Sequence, residues 1–165
     1  MKAVQVYSKG DWLVHSVFGI GQIQGIEVKN ISGANIDYFR IQTFNSTYWV
    51  PVDRMDSEKM RPVATLEEFA RAIAILQRPP KAMSADHKVR KTHMERVQNQ
   101  NMPEEMARLM RDLRARQRDK GVYHLDENNA IRTLKQRLAD EWSVITGETV
   151  ENATSNLDAI LNHQT

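Results

Sequence analysis

Hydrophobic and polar residues alternate along the first third of the chain. The clearest stretch is Gly10–Glu27, which places its apolar side chains at Trp12, Val14, Phe18, Ile20, Ile23 and Ile26. Alternation of this kind predicts half-buried β-strands. Three glycines, Gly19, Gly21 and Gly25, lie inside the stretch and predict bends or bulges. The pattern is typical of the start of a small, strongly curved β-barrel.

Further strands are expected up to residue 53, with a lead-in strand at Val4–Tyr7. Residues 29–35 supply turn chemistry, because Asn, Ser and Gly tolerate the backbone angles of tight turns. Ile36–Thr43 and Thr47–Val52 then predict two more strands. Pro51 lacks an amide hydrogen, so we expect it at a sheet edge or at a strand end. Residues 53–64 are interpreted as a connector.

The pattern changes to a helical period at Thr65. Thr65 and Glu68 have the spacing of a capping box, and apolar residues then recur every three or four positions. Proline and glycine residues divide the remaining chain into segments. Five helices are expected, beginning near Thr65, near Ser84 or Asp86, at Pro103, at Asp126 and at Thr149.

Composition places the chain among globular proteins, with 41% hydrophobic and 27% charged residues in 165 positions. That length allows one domain or two small ones. The absence of cysteine excludes disulfides and thiolate metal sites. There is no apolar run of membrane-spanning length and no apolar signal-peptide core, so a cytoplasmic location without membrane attachment is expected.

Charge is distributed unevenly, although the net charge is only +2. Residues 71–125 carry 13 basic and 6 acidic side chains, whereas residues 126–165 carry 3 basic and 7 acidic ones. A concentrated positive segment favours a polyanionic partner. A solvated helix surface with no such partner is the alternative interpretation.

Basic residues of the second and third helices are the candidate anion contacts. At 100° per residue, Arg111, Arg114 and Arg118 gather with Arg108 opposite the apolar side of the third helix. Such an arginine face suits phosphate contacts, although intrahelical ion pairs would give the same pattern. The second helix adds three more candidate phosphate contacts: Lys88, Arg90 and Lys91.

Catalytic chemistry is not expected. The five histidines are scattered, and His87 and His93 are six positions apart, which does not place two metal ligands on one helix face. Gly19-Ile20-Gly21 lies in a strand context and lacks the Gly-Lys-Ser/Thr ending of a phosphate-binding loop. We therefore expect neither an enzyme nor a cofactor or metal site.

An ordered set of short motifs resembles one known family. The set comprises Gly10-Asp11, Val14-His15, Gly19-Ile20-Gly21, Ile26-Glu27, Ile31-Ser32-Gly33, Tyr38-Phe39 and Val50-Pro51-Val52, followed by an all-helical basic half. Together they resemble CarD-type bacterial transcription regulators, whose N-terminal module is similar to one in transcription-repair coupling factors.

The resemblance implies an α+β protein with two domains. Residues 1–64 would form a Tudor-like β-barrel that binds an outer lobe of the RNA polymerase β subunit. Residues 65–165 would form a compact helical domain of about five helices that contacts promoter DNA. The polymerase-facing positions would be Lys29, Trp49, Val50 and Pro51, and Trp49 departs from the polar residue that relatives commonly have there.

The resemblance also implies a DNA wedge at the start of the second helix. Relatives carry a tryptophan there, and the corresponding positions in this chain are Asp86 and His87. Tryptophan is absent at both, so the wedge is lost or replaced.

The function expected from these features is that of a monomeric, nucleoid-associated transcription regulator. It would bind polymerase and modulate the stability of the open promoter complex. Two alternatives remain open: a polymerase-binding adaptor without productive DNA contact, and a nucleic-acid-binding protein that acts independently of polymerase.

Overall fold

A computed structural model describes residues 6–55 and 58–163 of the chain. Contacts divide it into two compact units, with the boundary between Val63 and Ala64. The first unit contains the β-strands and the second contains the helices. An α+β protein with a small barrel-like sheet domain and a helical domain is therefore confirmed.

The first unit is one antiparallel sheet of five strands. They are β1 (Trp12–His15), β2 (Gly19–Ile31), β3 (Ala34–Thr43), β4 (Thr47–Pro51) and β5 (Met60–Pro62). Their order in the sheet is β4-β3-β2-β1-β5. The strand that contains Pro51 is thus an edge strand and ends at the proline, as predicted.

A β-bulge in β2 determines which side of the sheet its residues face. Ile23 pairs with Ile41, but the next paired residue is Gly25, opposite Arg40, so Gln24 is the extra residue. Gly25 has a φ of 154°, a backbone conformation that favours glycine. The residues of β2 on the core side of the sheet are therefore at odd positions such as Ile23 before the bulge and at even positions such as Ile26 after it. The glycines in this stretch had predicted such a bulge.

Three other sequence-based boundaries differ from the structure. The turn expected over residues 29–35 is only Ser32-Gly33, because β2 and β3 pair as far as Ile31 and Ala34. The expected connector over residues 53–64 contains β5, which pairs with β1. Of the lead-in strand, Val6 and Tyr7 are not in a strand, and residues 4 and 5 lie outside the described residues.

The side chains on one face of the sheet form the core of the first unit. The buried members are Tyr7, Leu13, Ile23, Phe39, Ile41, Tyr48 and Met55, with Val50, Val52 and Met60 packed against them. Gly21 lies within this packing, because a Cβ at its position would be 2.6 Å from Cγ2 of Ile41. The close approach of β2 and β3 here therefore requires glycine.

Five helices form the second unit: α1 (Leu66–Gln77), α2 (His87–Gln100), α3 (Pro103–Lys120), α4 (Leu125–Thr146) and α5 (Val150–Asn162). Their ends follow local chemistry. Thr65 and Glu68 form the capping box of α1, Asp86 caps α2 and Thr149 caps α5. Left-handed Gly121 and Gly147 end α3 and α4.

The helical core is built mainly from α1, α3 and α4. Leu76, Met110, Leu113, Leu134 and Leu138 have no exposed surface. Trp142 packs against this cluster and meets Phe69 edge to face, with ring centroids 5.7 Å apart. Trp142 is therefore a core residue of the helical unit.

Candidate functional site

The outer face of β2, β3 and β4 brings together side chains that are distant in sequence. Trp49 pairs with Arg40, and Glu27 pairs with Tyr38, so all four emerge on the side opposite the core. Lys29 follows on the same face. The bulge makes this possible, because unbroken alternation from Ile23 through Gln24 would place Glu27 and Lys29 on the same face as Ile23.

Lys29 and Trp49, both expected to face a partner, are in direct contact. The Lys29 ammonium lies 3.7 Å from the centroid of the Trp49 ring and 5.8 Å from that of Tyr38. Such a cation–π contact is worth about 0.5–1 kcal/mol on an exposed surface. It holds a positive charge over an aromatic plane that is 40% exposed.

Glu27 fixes the other side of the indole. Its Oε2 accepts a hydrogen bond of 2.8 Å from Nε1 of Trp49, and its Oε1 lies 3.4 Å from the Arg40 guanidinium. The ring is thus held on two sides before any partner arrives, which lowers the entropy lost on binding. Glu27 and Arg40 were not among the residues predicted from the sequence, although the alternation of β2 past its bulge would have placed Glu27 beside Lys29.

Edge strand β4 offers backbone groups next to this face. It pairs only with β3, so its second edge has no strand partner among the described residues. Pro51 lies on the outer face opposite Tyr38. Val50 differs from the prediction, since it pairs with Phe39 on the core side and its side chain packs into the core.

Two residues assigned to DNA are corrected by the structure. Arg90 is 2% exposed, and its Nε donates a 2.5 Å hydrogen bond to the buried carboxylate of Glu127. Arg111 is 3% exposed and donates to the backbone carbonyl of Ile75 and to Asp112. Both guanidinium groups hold helices together, so neither is available to phosphate.

The start of α2 carries the other predicted DNA contacts. Lys88 and Lys91 are exposed. The carboxylate of Asp86 accepts from the backbone N–H of Lys88 and therefore serves as the helix cap. His87 lies 2.9 Å from the Asp126 carboxylate and stacks on His124 at 4.6 Å. Neither Asp86 nor His87 presents an apolar side chain that could unstack bases.

The pKa of Asp126, at the start of α4, follows from the contacts of its carboxyl group. Burial alone would raise the pKa of Asp126, but the hydrogen bonds from His87 and from the backbone N–H of Glu127 lower it below its usual value, with help from the charges of His87 and His124. Asp126 is therefore a carboxylate at neutral pH and orients the imidazole of His87. No group of histidine and acidic residues in the described ranges could hold a metal ion.

On α3, Arg114 is half-buried and Arg118 is exposed, so the predicted arginine face is reduced to its C-terminal part. Arg108 also lies on the surface, but it is paired with Glu104 and Glu105 of its own helix. The intrahelical alternative thus holds for Arg108. Arg114 and Arg118 remain candidates for anion contact.

Comparison with known families identifies the sheet unit. Residues 7–64 match the CarD-like/TRCF RID domain. They form a CarD-like/TRCF RID module. The RID domain is an RNA polymerase-interacting domain, which supports polymerase as a partner of this chain. The match ends at residue 64, so it does not describe what the helices bind.

The matched residues include Glu27, Lys29, Arg40 and Trp49 of the outer face, and all of β4. Comparison with curated proteins found no match to the chain. Within the described ranges, none of the helices combines the length and the apolar character needed to cross a membrane.

Proposed function

We propose that this protein is a transcription regulator that binds the RNA polymerase β subunit through its RID module and contacts promoter DNA through its helical unit. The observation that carries the proposal is the match of residues 7–64 to a polymerase-interacting domain. In this role the protein changes the stability of the open promoter complex. It needs no cofactor for this and acts as a monomer in the cytoplasm, associated with the nucleoid.

The RID module would dock through β4 and the adjoining outer face. An unpaired edge strand can accept a strand from a partner, with backbone hydrogen bonds supplying affinity. Beside that edge, Trp49 offers a rigid aromatic surface, and aromatic residues of this kind are frequent binding hot spots. Lys29 and Arg40 give the face a net positive charge against the single acid Glu27, which favours an acidic partner strand.

The helical unit would supply weak phosphate contacts. Lys88, Lys91, Arg114 and Arg118 have exposed or half-exposed side chains in the segment of the chain with the largest excess of basic residues. Binding to polymerase raises the effective concentration of promoter DNA, so low intrinsic affinity suffices. If these contacts are better with melted than with closed DNA, they shift the equilibrium toward the open complex.

A second candidate function is that of a polymerase-binding adaptor without productive DNA contact. The observation that favours it is the start of α2, where Asp86 caps the helix and His87 is held by Asp126. This arrangement provides no wedge at the position where CarD-type relatives carry one.

The docking proposal is tested by pull-down of the polymerase β subunit with the full chain. Lys29→Glu removes the cation–π contact and reverses the charge beside Trp49, so we expect capture to fall at least about fivefold, as for the loss of a modest hot spot. Lys9→Glu makes the same charge change at an exposed position outside the sheet face and serves as the matched control. Equal capture by all three proteins would refute this docking surface.

The DNA half of the proposal is tested by the lifetime of the open complex on a promoter, measured after addition of a competitor. We expect the wild-type protein to change the lifetime and Lys88→Glu with Lys91→Glu to remove that change while still binding polymerase. An adaptor would leave the lifetime unchanged by either protein. Binding to DNA in the absence of polymerase, without any capture of polymerase, would identify an independent nucleic-acid binder.

A further inference from the structure

The C-terminal end of α3 leads into an exposed apolar loop. Residues 114–120 contain four basic side chains and one acidic one, and they precede Gly121. The loop that follows and the first residue of α4 expose three large apolar or aromatic side chains to solvent. Exposed fractions are 52% for Val122, 59% for Tyr123 and 75% for Leu125. A basic helix end beside exposed aromatic surface is an arrangement used by proteins that bind single-stranded nucleic acid.

Tyr123 forms one wall of a recess of about 350 Å³ beside α3. The other lining residues are Arg114, Gln117, Arg118 and Asn162. This volume is at the small end of the range for ligand pockets. The lining thus joins two guanidinium groups to one aromatic ring, and none of the five residues is acidic.

The two arginines are held differently. Arg118 donates a 3.2 Å hydrogen bond to the backbone carbonyl of Leu161, which fixes its guanidinium against the end of α5. Arg114 forms no ion pair with a described carboxylate. A phosphate in the recess would therefore meet one pre-positioned and one uncommitted guanidinium, and guanidinium groups bind phosphate in a bidentate manner.

Gln117, which also lines the recess, has one unsatisfied polar atom. The residue is 1% exposed, and its side-chain nitrogen donates a 2.6 Å hydrogen bond to Asn128. Its side-chain oxygen has no hydrogen-bond partner among the described residues. Because a buried acceptor without a donor is costly, a ligand that brings an N–H or O–H group would relieve that cost. A free phosphate ion brings few such donors, whereas a nucleotide brings several.

We propose that this recess binds one unpaired nucleotide of melted DNA. Its phosphate lies between Arg114 and Arg118, and its base stacks on the ring of Tyr123. The proposal rests on the proposed function in that it takes the helical unit to contact DNA, and it specifies which form of DNA is preferred. The stacking group is thus Tyr123, which is not at the start of α2, where the relatives carry their tryptophan.

An unpaired nucleotide fits better than duplex DNA for a geometric reason. The faces of bases in a duplex are covered by their neighbours, so an aromatic ring can stack only on a base that has left the helix. A recess of about 350 Å³ is of a size that one nucleotide fills. Contacts made only to unpaired nucleotides would favour the melted promoter over the closed one.

The test compares two fluorescein-labelled DNAs by anisotropy at low ionic strength, with the full chain. One is a duplex, and the other is the same duplex with a single-stranded oligothymidine tail. We expect the wild-type protein to bind the tailed DNA more tightly. Tyr123→Ala should weaken binding to the tailed DNA by about fivefold or more, the effect of losing one stacked base, and leave duplex binding unchanged.

Two further variants separate stacking from charge. Tyr123→Phe keeps the ring and should retain the preference for the tail, whereas Arg114→Gln should reduce binding to the tailed DNA more than Arg132→Gln, an exposed arginine on α4 outside the recess. Leu125→Ala is the control for Tyr123→Ala, because it removes an exposed apolar side chain from the same segment without touching the recess.

Two other sets of results would refute either the nucleotide recess alone or DNA contact by the helical unit as a whole. If the wild-type protein binds both DNAs equally, or if Tyr123→Ala keeps the preference for the tail, the nucleotide recess is refuted while DNA contact by the helical unit stands. If the wild-type protein binds neither DNA at low ionic strength, DNA contact itself fails and the recess fails with it. Unchanged thermal unfolding of Tyr123→Ala confirms that the exposed substitution acts on binding alone.

Discussion

Arg90 and Glu127 show how a single ion pair ties the helical unit together. Both side chains are almost fully buried, with exposed fractions of 1% and 2%. The Arg90 guanidinium also donates to the backbone carbonyls of Ser84 and Ala85, each at 2.9 Å. The pair therefore anchors the segment before α2 as well as α4, and each partner satisfies the other's buried charge.

We expect Arg90→Met to lower the free energy of unfolding of the helical unit by about 3–5 kcal/mol, because it leaves the carboxylate of Glu127 buried without a counter-charge. Urea unfolding followed by circular dichroism measures the change. Lys135→Met is the control, since its pair with Asp158 is partly exposed and is worth about 1 kcal/mol or less. Equal losses in the two variants would contradict the assignment of a buried structural role to Arg90.

His15 makes the stability of the RID module depend on pH. Its Nδ1 accepts hydrogen bonds of 3.0 and 3.2 Å from the backbone N–H groups of Val17 and Phe18, which requires an unprotonated nitrogen. Burial, with a smaller contribution from the charge of Lys59, lowers the pKa of His15 below its ordinary value of 6.5. The folded module therefore favours neutral imidazole.

Below pH 6.5 the unfolded chain binds a proton at this residue that the folded chain resists, so the contribution of His15 to stability is complete above that pH and is lost as the pH falls toward the folded-state pKa. We expect the unfolding free energy of the wild type to decrease more than that of His15→Gln between pH 7.5 and pH 5.5, values on either side of about 6.5. Parallel pH profiles would show that His15 is not the titrating group.

At the scale of elements, the pairing of β2 with β3 depends on Gly21. The backbone at Gly21 has no positive φ, so its role is to leave space rather than to adopt an unusual conformation. The atom in the way is Cγ2 of fully buried Ile41, and the carbonyl oxygen of Gln42 is 3.2 Å from the Cβ position. Neither neighbour can move freely, because one is packed and the other belongs to the strand backbone.

We expect Gly21→Ala to destabilise the RID module by about 1–3 kcal/mol, the usual cost of adding a methyl group to a filled core. Thermal unfolding measures the shift. Gln22→Ala, at the next and partly exposed position of β2, should change stability by no more than about 0.5 kcal/mol. A Gly21→Ala protein as stable as the wild type would mean that the two strands can separate at this point without cost.

Element ends were more predictable from sequence than side-chain contacts. The cap at Thr65 and the stops at Gly121 and Gly147 depend on residues within one turn, so local chemistry is sufficient. The burial of Arg111 depends on the carbonyl of Ile75, which is thirty-six positions earlier in the chain. A helical wheel cannot show that a neighbouring helix covers one part of its polar face.

The Lys29–Trp49 contact illustrates the same limit in the sheet. Each residue was a candidate from the sequence, but their contact depends on two strand registers and on one extra residue in β2. The recess beside α3 also depends on contacts between distant residues. It joins Arg114 of α3, Tyr123 of the following loop and Asn162 of α5. The charge of the individual residues was readable in the sequence; their proximity was not.

For the whole molecule, the distribution of charge predicts how DNA binding depends on salt. Each phosphate contact on duplex DNA contributes about −0.9 to the slope of log affinity against log salt concentration. Lys88→Gln with Lys91→Gln should therefore flatten the slope by up to about 2. Anisotropy titrations over a range of salt concentrations measure it.

Lys135→Gln is the control for that measurement, because Lys135 is paired with Asp158 on α5 and should leave the slope unchanged. The same slope for all three proteins would place the phosphate contacts elsewhere on the molecule. A flatter slope for Lys135→Gln alone would instead place a phosphate contact at Lys135.

The bulge in β2 makes the partner-facing side of this module depend on residue count as well as on residue type. A strand that kept Gln24 in regular pairing would turn Glu27 and Lys29 inward and bring Ile26 and Val28 out beside the indole. Deleting Gln24 would instead let Gly25 opposite Arg40 follow Ile23 opposite Ile41 directly, so Glu27 and Lys29 would keep their outward positions. Modules of this kind that differ in length by one residue at the bulge therefore present the same side chains to a partner.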